Sequence, residues 1–229
     1  MSATLSEIEV LHSAGENVKS LAQSGALGDI HSRCDSLKEA SESQYINMRD
    51  KIENIVQAIQ TKEDDIYESL IDDEVKGIYS HEDDDASIFR MGSALNGMAS
   101  VTNLMALDAA IKNASDKSSL QDSHNKLVAL LGAKIKATEA LIALQQAYCD
   151  NVEIGDSAAN NDLGNLHKKL ERYQHAHGKH AGHSDDTADL LASQIQEVSA
   201  DLDSVSKVFA DYKSVNEERT AIFANFSGK

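Results

Sequence analysis

The stretch LASQIQEVSADLDSVSKVFADY, Leu191 to Tyr212, places Leu191, Ile195, Val198, Leu202, Val205, Phe209 and Tyr212 in strict alternation by four and three. That alternation marks a helix whose apolar residues form one narrow seam, as in a coiled coil. A stripe this narrow builds no core alone, so the helix must lie along another, in the same chain or in a second copy. Past Tyr212, polar Asn216 and Arg219 take seam positions before Phe223 and Phe226 restore the pattern. A polar residue at such a position sets register or partner choice. Ser184 or an aspartate caps the start, and a single helix is predicted over 186–226.

The rest of the chain reads the same way. Tyr45, Met48, Ile52, Ile55, Ile59, Ile66 and Leu70 keep one seam on a helix expected over about 29–79. Ile88 to Ile111 carry a wider apolar stripe, and Leu120 to Tyr148 resume it beyond the polar run NASDKSS, Asn113–Ser119. We expect one helix over about 86–150 there, then a break at Asn151–Asn165, which holds two glycines, then a shorter helix over 162–177. Leu5, Ile8, Leu11, Val18 and Leu21 suggest a short amphipathic helix within 1–28, closed by Gly25 and Gly28. The whole is therefore expected to be all-α, with long antiparallel helices in an elongated bundle or coiled coil over 29–229.

Composition agrees. The 229 residues contain no proline, where usage of about 5% would give roughly eleven, and proline is the residue a helix interior tolerates least. The net charge of −17 argues against nucleic acid as partner, because phosphate binding needs clustered Lys and Arg. Eleven acids against two lysines between Lys62 and Asp85 make over half of that charge, and they lack the alternating frame of an EF-hand loop. Cys34 and Cys149 lie far apart without CxxC spacing, so neither a disulfide framework nor a zinc site is expected from them. Met91, Met98 and Met105 recur every seven residues, the spacing of a packed helix face. No run of about 18 apolar residues occurs, and Met1 to Val10 have no basic start followed by an apolar core. The expected location is cytoplasmic, with peripheral membrane attachment compatible.

No nucleophile elbow, zinc-protease, Walker or dinucleotide motif is present, and no enzyme activity or cofactor is expected. The chemistry that stands out lies between His167 and His183, where five of the nine histidines fall within seventeen residues. His175, His177, His180 and His183 are candidate metal ligands, since neutral imidazole binds zinc, nickel or copper. His-x-His sets two rings about 200° apart on a helix, so a solvated segment is the favoured reading and no metal is assigned. The same segment carries Lys168, Lys169, Arg172 and Lys179, a basic patch that protonation of the histidines below about pH 6.5 would strengthen.

One segment carries a resemblance. IFRMGSALNGMASV, Ile88 to Val101, is similar to the start of the second long helix in sorting-nexin BAR regions, through Phe89, Gly92, Ala94, Leu95, Met98 and Ala99. The order of long helix, acidic turn, long helix, basic turn and long helix also resembles a BAR domain. The resemblance implies a dimeric, membrane-meeting helical scaffold, with Lys168, Lys169, Arg172 and Lys179 against the lipid and Leu191 to Tyr212 in the dimer seam. Two other readings stay open: a soluble coiled-coil adaptor or filament subunit that binds helical protein partners, and an α-helical pore-forming toxin that hides its hairpin at Leu127 to Leu144.

Overall fold

Gly25, at φ +72°, turns the chain into its first long helix, and its carbonyl accepts the Asp29 N–H at 3.0 Å. The computed structural model describes residues 12–13, 15–17, 19–20, 25–72, 98–114, 117–180 and 183–226. Within them lie helices α1 (Ala26–Asp72), α2 (Met98–Asn113), α3 (Ser118–Asn151), α4 (Ser157–His180), α5 (Asp186–Ala200) and α6 (Leu202–Phe226), and no strand. The all-helical bundle expected from the sequence is therefore present. The N-terminal apolar positions Leu5 to Leu21, the acidic residues 73–85 and the BAR-like residues Phe89 to Leu95 fall outside the described residues.

The helices divide differently from the expectation. The helix predicted over 86–150 is interrupted after Asn113, because small polar residues offer the backbone side-chain hydrogen bonds that compete with helical ones. The one predicted over 186–226 turns at Asp201, whose N–H bonds back to Val198 and Ser199 carbonyls. The break expected over Asn151–Asn165 is much shorter. Gly155, at φ +87°, reverses the chain, and the Asp156 carboxylate accepts the Ala158 and Ala159 N–H groups at 2.7 and 3.4 Å, so α4 starts five residues early and runs through Gly164. At α5 the cap is an aspartate, one of the two residue types expected there: Asp185 accepts from Thr187 and Ala188 N–H, while the Ser184 hydroxyl donates to Asp189.

The chain forms two compact units. The first, residues 1–46, 147–154 and 203–229, has a small core of Ile30, Cys34, Tyr212 and Val215, edged by Leu37, Val152 and Ile222. Tyr148 stacks on Tyr45 at 4.2 Å and meets Phe209 edge-on at 5.4 Å. The polar seam residues of α6 find their partners on α1 of the same chain. The Arg219 guanidinium donates to Asn216 at 2.7 Å and pairs with Asp35 at 3.7 Å, and the Cys34 thiol lies 3.8 Å from Asn216.

The second unit, residues 47–146 and 155–202, holds the larger core: Tyr67 and Leu70 of α1, Leu104, Leu107 and Ile111 of α2, Leu120, Leu127, Val128 and Leu131 of α3, and Tyr173 and Ala176 of α4. Helix α3 is its axis. Leu127 to Leu131 are buried without interruption, and Ala133, Ala137 and Ala140 bring neighbouring helices close. The seam of α1 is as narrow as predicted, with Met48, Ile52, Ile59 and Leu70 buried and Tyr45, Ile55 and Ile66 half-buried. It also contains Glu63 at a buried position, neutralised by Lys134 of α3 at 2.6 Å.

Candidate functional site

The resemblance to BAR regions places Lys168, Lys169, Arg172 and Lys179 in a basic turn; they lie on helix α4, which includes the shorter helix expected over 162–177 and extends past Lys179. At about 100° per residue, Lys168, Arg172, His175 and Lys179 share an arc of about 60° and are all exposed, whereas Lys169 lies off that arc and is half-buried. The far side of α4 buries Ala159 and Tyr173, and Ala176 is buried on the flank between that side and the arc. No ion pair joins the three cations of the arc to any described acid, though Glu171 flanks it.

The same helix scatters the histidines that looked like one tract. His175 points outward with the cations. The His177 ring lies against Gly132 of α3, so close that a Cβ there would sit 3.3 Å from its Nε2. His177 and His183 face a cavity of about 470 Å³ together with Gly132, Glu139, Gln174 and Asp189. His180, the last residue of α4, meets His124 of α3 edge-on, with ring centroids 5.1 Å apart.

His124 is the residue that sequence reasoning missed. It sits in the second turn of α3, is 5% exposed, and neither ring nitrogen makes a hydrogen bond of acceptable geometry. One donor atom each from His124, His180 and Asp108 of α2 lies within 4.8 Å of the other two. Burial first, then the His180 and His183 charges, holds the His124 pKa below the usual imidazole range, with Asp108 and Asn125 opposing. The Asp108 carboxyl is held low chiefly by a 2.8 Å hydrogen bond from Lys112, with the nearby histidines adding to it. The arrangement is a carboxylate and two imidazoles converging from three helices. The lone signal in the sequence is a histidine in SLQDSHNKLVALL, a run otherwise read as core.

Other positions behave differently from expectation. Met105 is 57% exposed, so the seven-residue methionine repeat is not a buried stripe at that position; Met91 lies outside the described residues. Glu63, one of the eleven acids between Lys62 and Asp85, is buried, while Lys62 and Asp65 pair at the surface. Of the expected dimer seam, Leu191, Ile195, Val205, Phe209 and Tyr212 are buried by the chain's own helices, and Val198 and Leu202 are half-buried. Cys34 and Cys149 are both buried and unbridged. Among the described residues no helix is long and apolar enough to cross a membrane; Leu127–Leu144, the hairpin a pore former would need, carries Lys134 locked in its buried ion pair. No family model matches this chain, and no curated protein or solved structure matches it either.

Proposed function

We propose that this chain is a non-enzymatic helical scaffold that lays the outer face of α4 on an anionic membrane surface. The observation that supports it is the exposed arc of Lys168, Arg172 and Lys179, with His175 among them, on a helix docked by its opposite face. The resemblance to BAR regions points the same way. Each cation near a charged leaflet is worth about 1 kcal/mol, so the arc supplies about 3 kcal/mol, opposed by the acidic body beyond a screening length of about 8 Å. Binding should be weak, salt-sensitive and dependent on high surface charge. Dimerisation, which the BAR-like reading includes, would have to use faces other than the buried Leu191–Tyr212 seam.

The test is co-sedimentation with vesicles rich in phosphatidylserine, at low and at high salt, for the native chain and for K168E/R172E/K179E. Retention at low salt that the triple variant loses supports the reading. Equal retention of both proteins removes the α4 arc as the contact, and retention of neither removes the membrane. Native-mass complexes with helical protein partners that survive the triple substitution would then favour the soluble adaptor.

A further inference from the structure

Helices α2, α3 and α4 of the second unit bring Asp108, His124 and His180 to one point, and nothing in the packing accounts for His124 being there. A buried imidazole has one nitrogen that donates and one that accepts, or two that donate. Leaving both unmade at a site 5% exposed costs free energy that an apolar residue of the same size would not. The ring faces not a leucine but a second imidazole and a carboxylate.

We infer that Asp108, His124 and His180 form a binding site for a divalent first-row transition metal, zinc being the natural occupant. The donor set selects the class: two imidazole nitrogens and one carboxylate oxygen suit zinc, cobalt or nickel, whereas calcium and magnesium take oxygen ligands. The geometry requires little movement. Tetrahedral donors at about 2.1 Å from a metal are about 3.4 Å apart, and the three here already lie within 4.8 Å of one another. His180 and Asp108 are half-exposed and can close the gap by side-chain rotation around the fixed His124 ring. The C-terminal end of α4, where His180 stands, is the negative end of the helix dipole and favours a cation. Lys112 is no obstacle, since its side chain is 71% exposed and a carboxylate has a second oxygen to offer. The fourth position falls to water. Bound there, the metal ties together three helices that already share an apolar core.

The experiment is a zinc titration of the full chain, stripped with chelator and then competed against a chromophoric zinc indicator, with thermal unfolding followed in parallel. The native chain should take one equivalent with micromolar or tighter affinity and melt higher when loaded. H180A and D108N, changes at half-exposed positions that leave the core intact, should each weaken zinc by at least about 100-fold, more than the loss seen for outer-shell partners. Both should keep the melting temperature of the metal-free protein. H167A/H175A, which removes two exposed histidines of the α4 tract, should bind as the native chain does. The inference is overturned if the native chain binds no zinc below about 100 μM, or if binding survives H180A and D108N but is lost in H167A/H175A. In that last case the metal sits on surface histidines alone. Cobalt gives an independent readout, because its visible spectrum reports whether imidazole ligands enter the inner sphere, and that spectrum should vanish in H180A.

Discussion

Replacing Glu63 with glutamine tests the core of the second unit at its most exposed assumption. Glu63 and Lys134 approach to 2.6 Å with side chains only 6% and 7% exposed, and the Lys134 ammonium lies 5.8 Å from the centre of the Tyr173 ring. Removing one member leaves the other charged in a medium that solvates it poorly, at a cost of about 3–5 kcal/mol. The Tyr173 face and the nearby Asp64 carboxylate offer Lys134 partial relief, which places the expectation at about 3 kcal/mol, the lower end of that range. With a urea slope of about 2 kcal/mol/M, the unfolding midpoint of E63Q should fall by about 1.5 M. Exchanging both partners for apolar groups, E63L/K134M, should recover most of the loss, since a well-packed apolar pair avoids the desolvation cost. Circular dichroism during urea unfolding measures all three proteins. A midpoint shift for E63Q under about 0.5 M would be the value of a surface pair, and would refute the burial on which the reasoning rests.

Two further expectations rest on local geometry. D185A removes the carboxylate that accepts the Thr187 and Ala188 N–H groups and should cost about 1 kcal/mol, read as a drop of about 2–4 °C in melting temperature; no change would mean that Asp185 caps nothing in solution. Tyr67, Tyr148 and Tyr173 are pushed above the ordinary phenol value chiefly by burial, Tyr173 to about 12. A phenol kept protonated in the folded state stabilises it fully below the unfolded value of about 10, and that contribution is lost as pH rises from there toward 12, roughly 3 kcal/mol for Tyr173 alone. Absorbance at 295 nm should therefore show three phenols still protonated in the native protein at pH 11, with urea midpoints falling between pH 9 and pH 11. Ionisation of every tyrosine near pH 10 without unfolding would contradict this.

The fold was legible where burial is one-sided. The α1 seam from Met48 to Leu70 and the α6 positions Val205, Phe209 and Tyr212 follow from apolar spacing alone, because each helix shows one face to its neighbours. Asn216 and Arg219 announced themselves as polar interruptions of that seam, and they meet Asp35 and Cys34 across it. What spacing could not supply was the pairing of charges and rings from remote segments. Glu63 looked like one more acid in an acidic run, and only the 71-residue loop back to Lys134 makes it a core residue. His124 was hidden for the same reason. The sequence concentrates attention on five histidines near its end, whereas the cluster takes one of those five and joins it to a solitary histidine and an aspartate from two other helices. The short connections misled in a different way: Gly155 and Asp156 reverse the chain in a few residues, so the glycine- and asparagine-rich stretch beyond them is helix rather than loop.

Helix α4 serves both proposed sites, and its geometry keeps them separable. The cationic arc is centred about 110° around the helix from His180, by the helical angle of about 100° per residue. A membrane needs only the outward surface of α4, whereas a metal needs α2, α3 and α4 held in register by Tyr173, Ala176 and the apolar residues beneath them. Asp108 cancels half the charge of a bound divalent ion, and what remains is screened over about 8 Å at physiological salt. Charge reversal along the arc therefore leaves the three donor atoms in place, and loss of His180 leaves all three exposed cations on their face. Either reading can fail without taking the other with it.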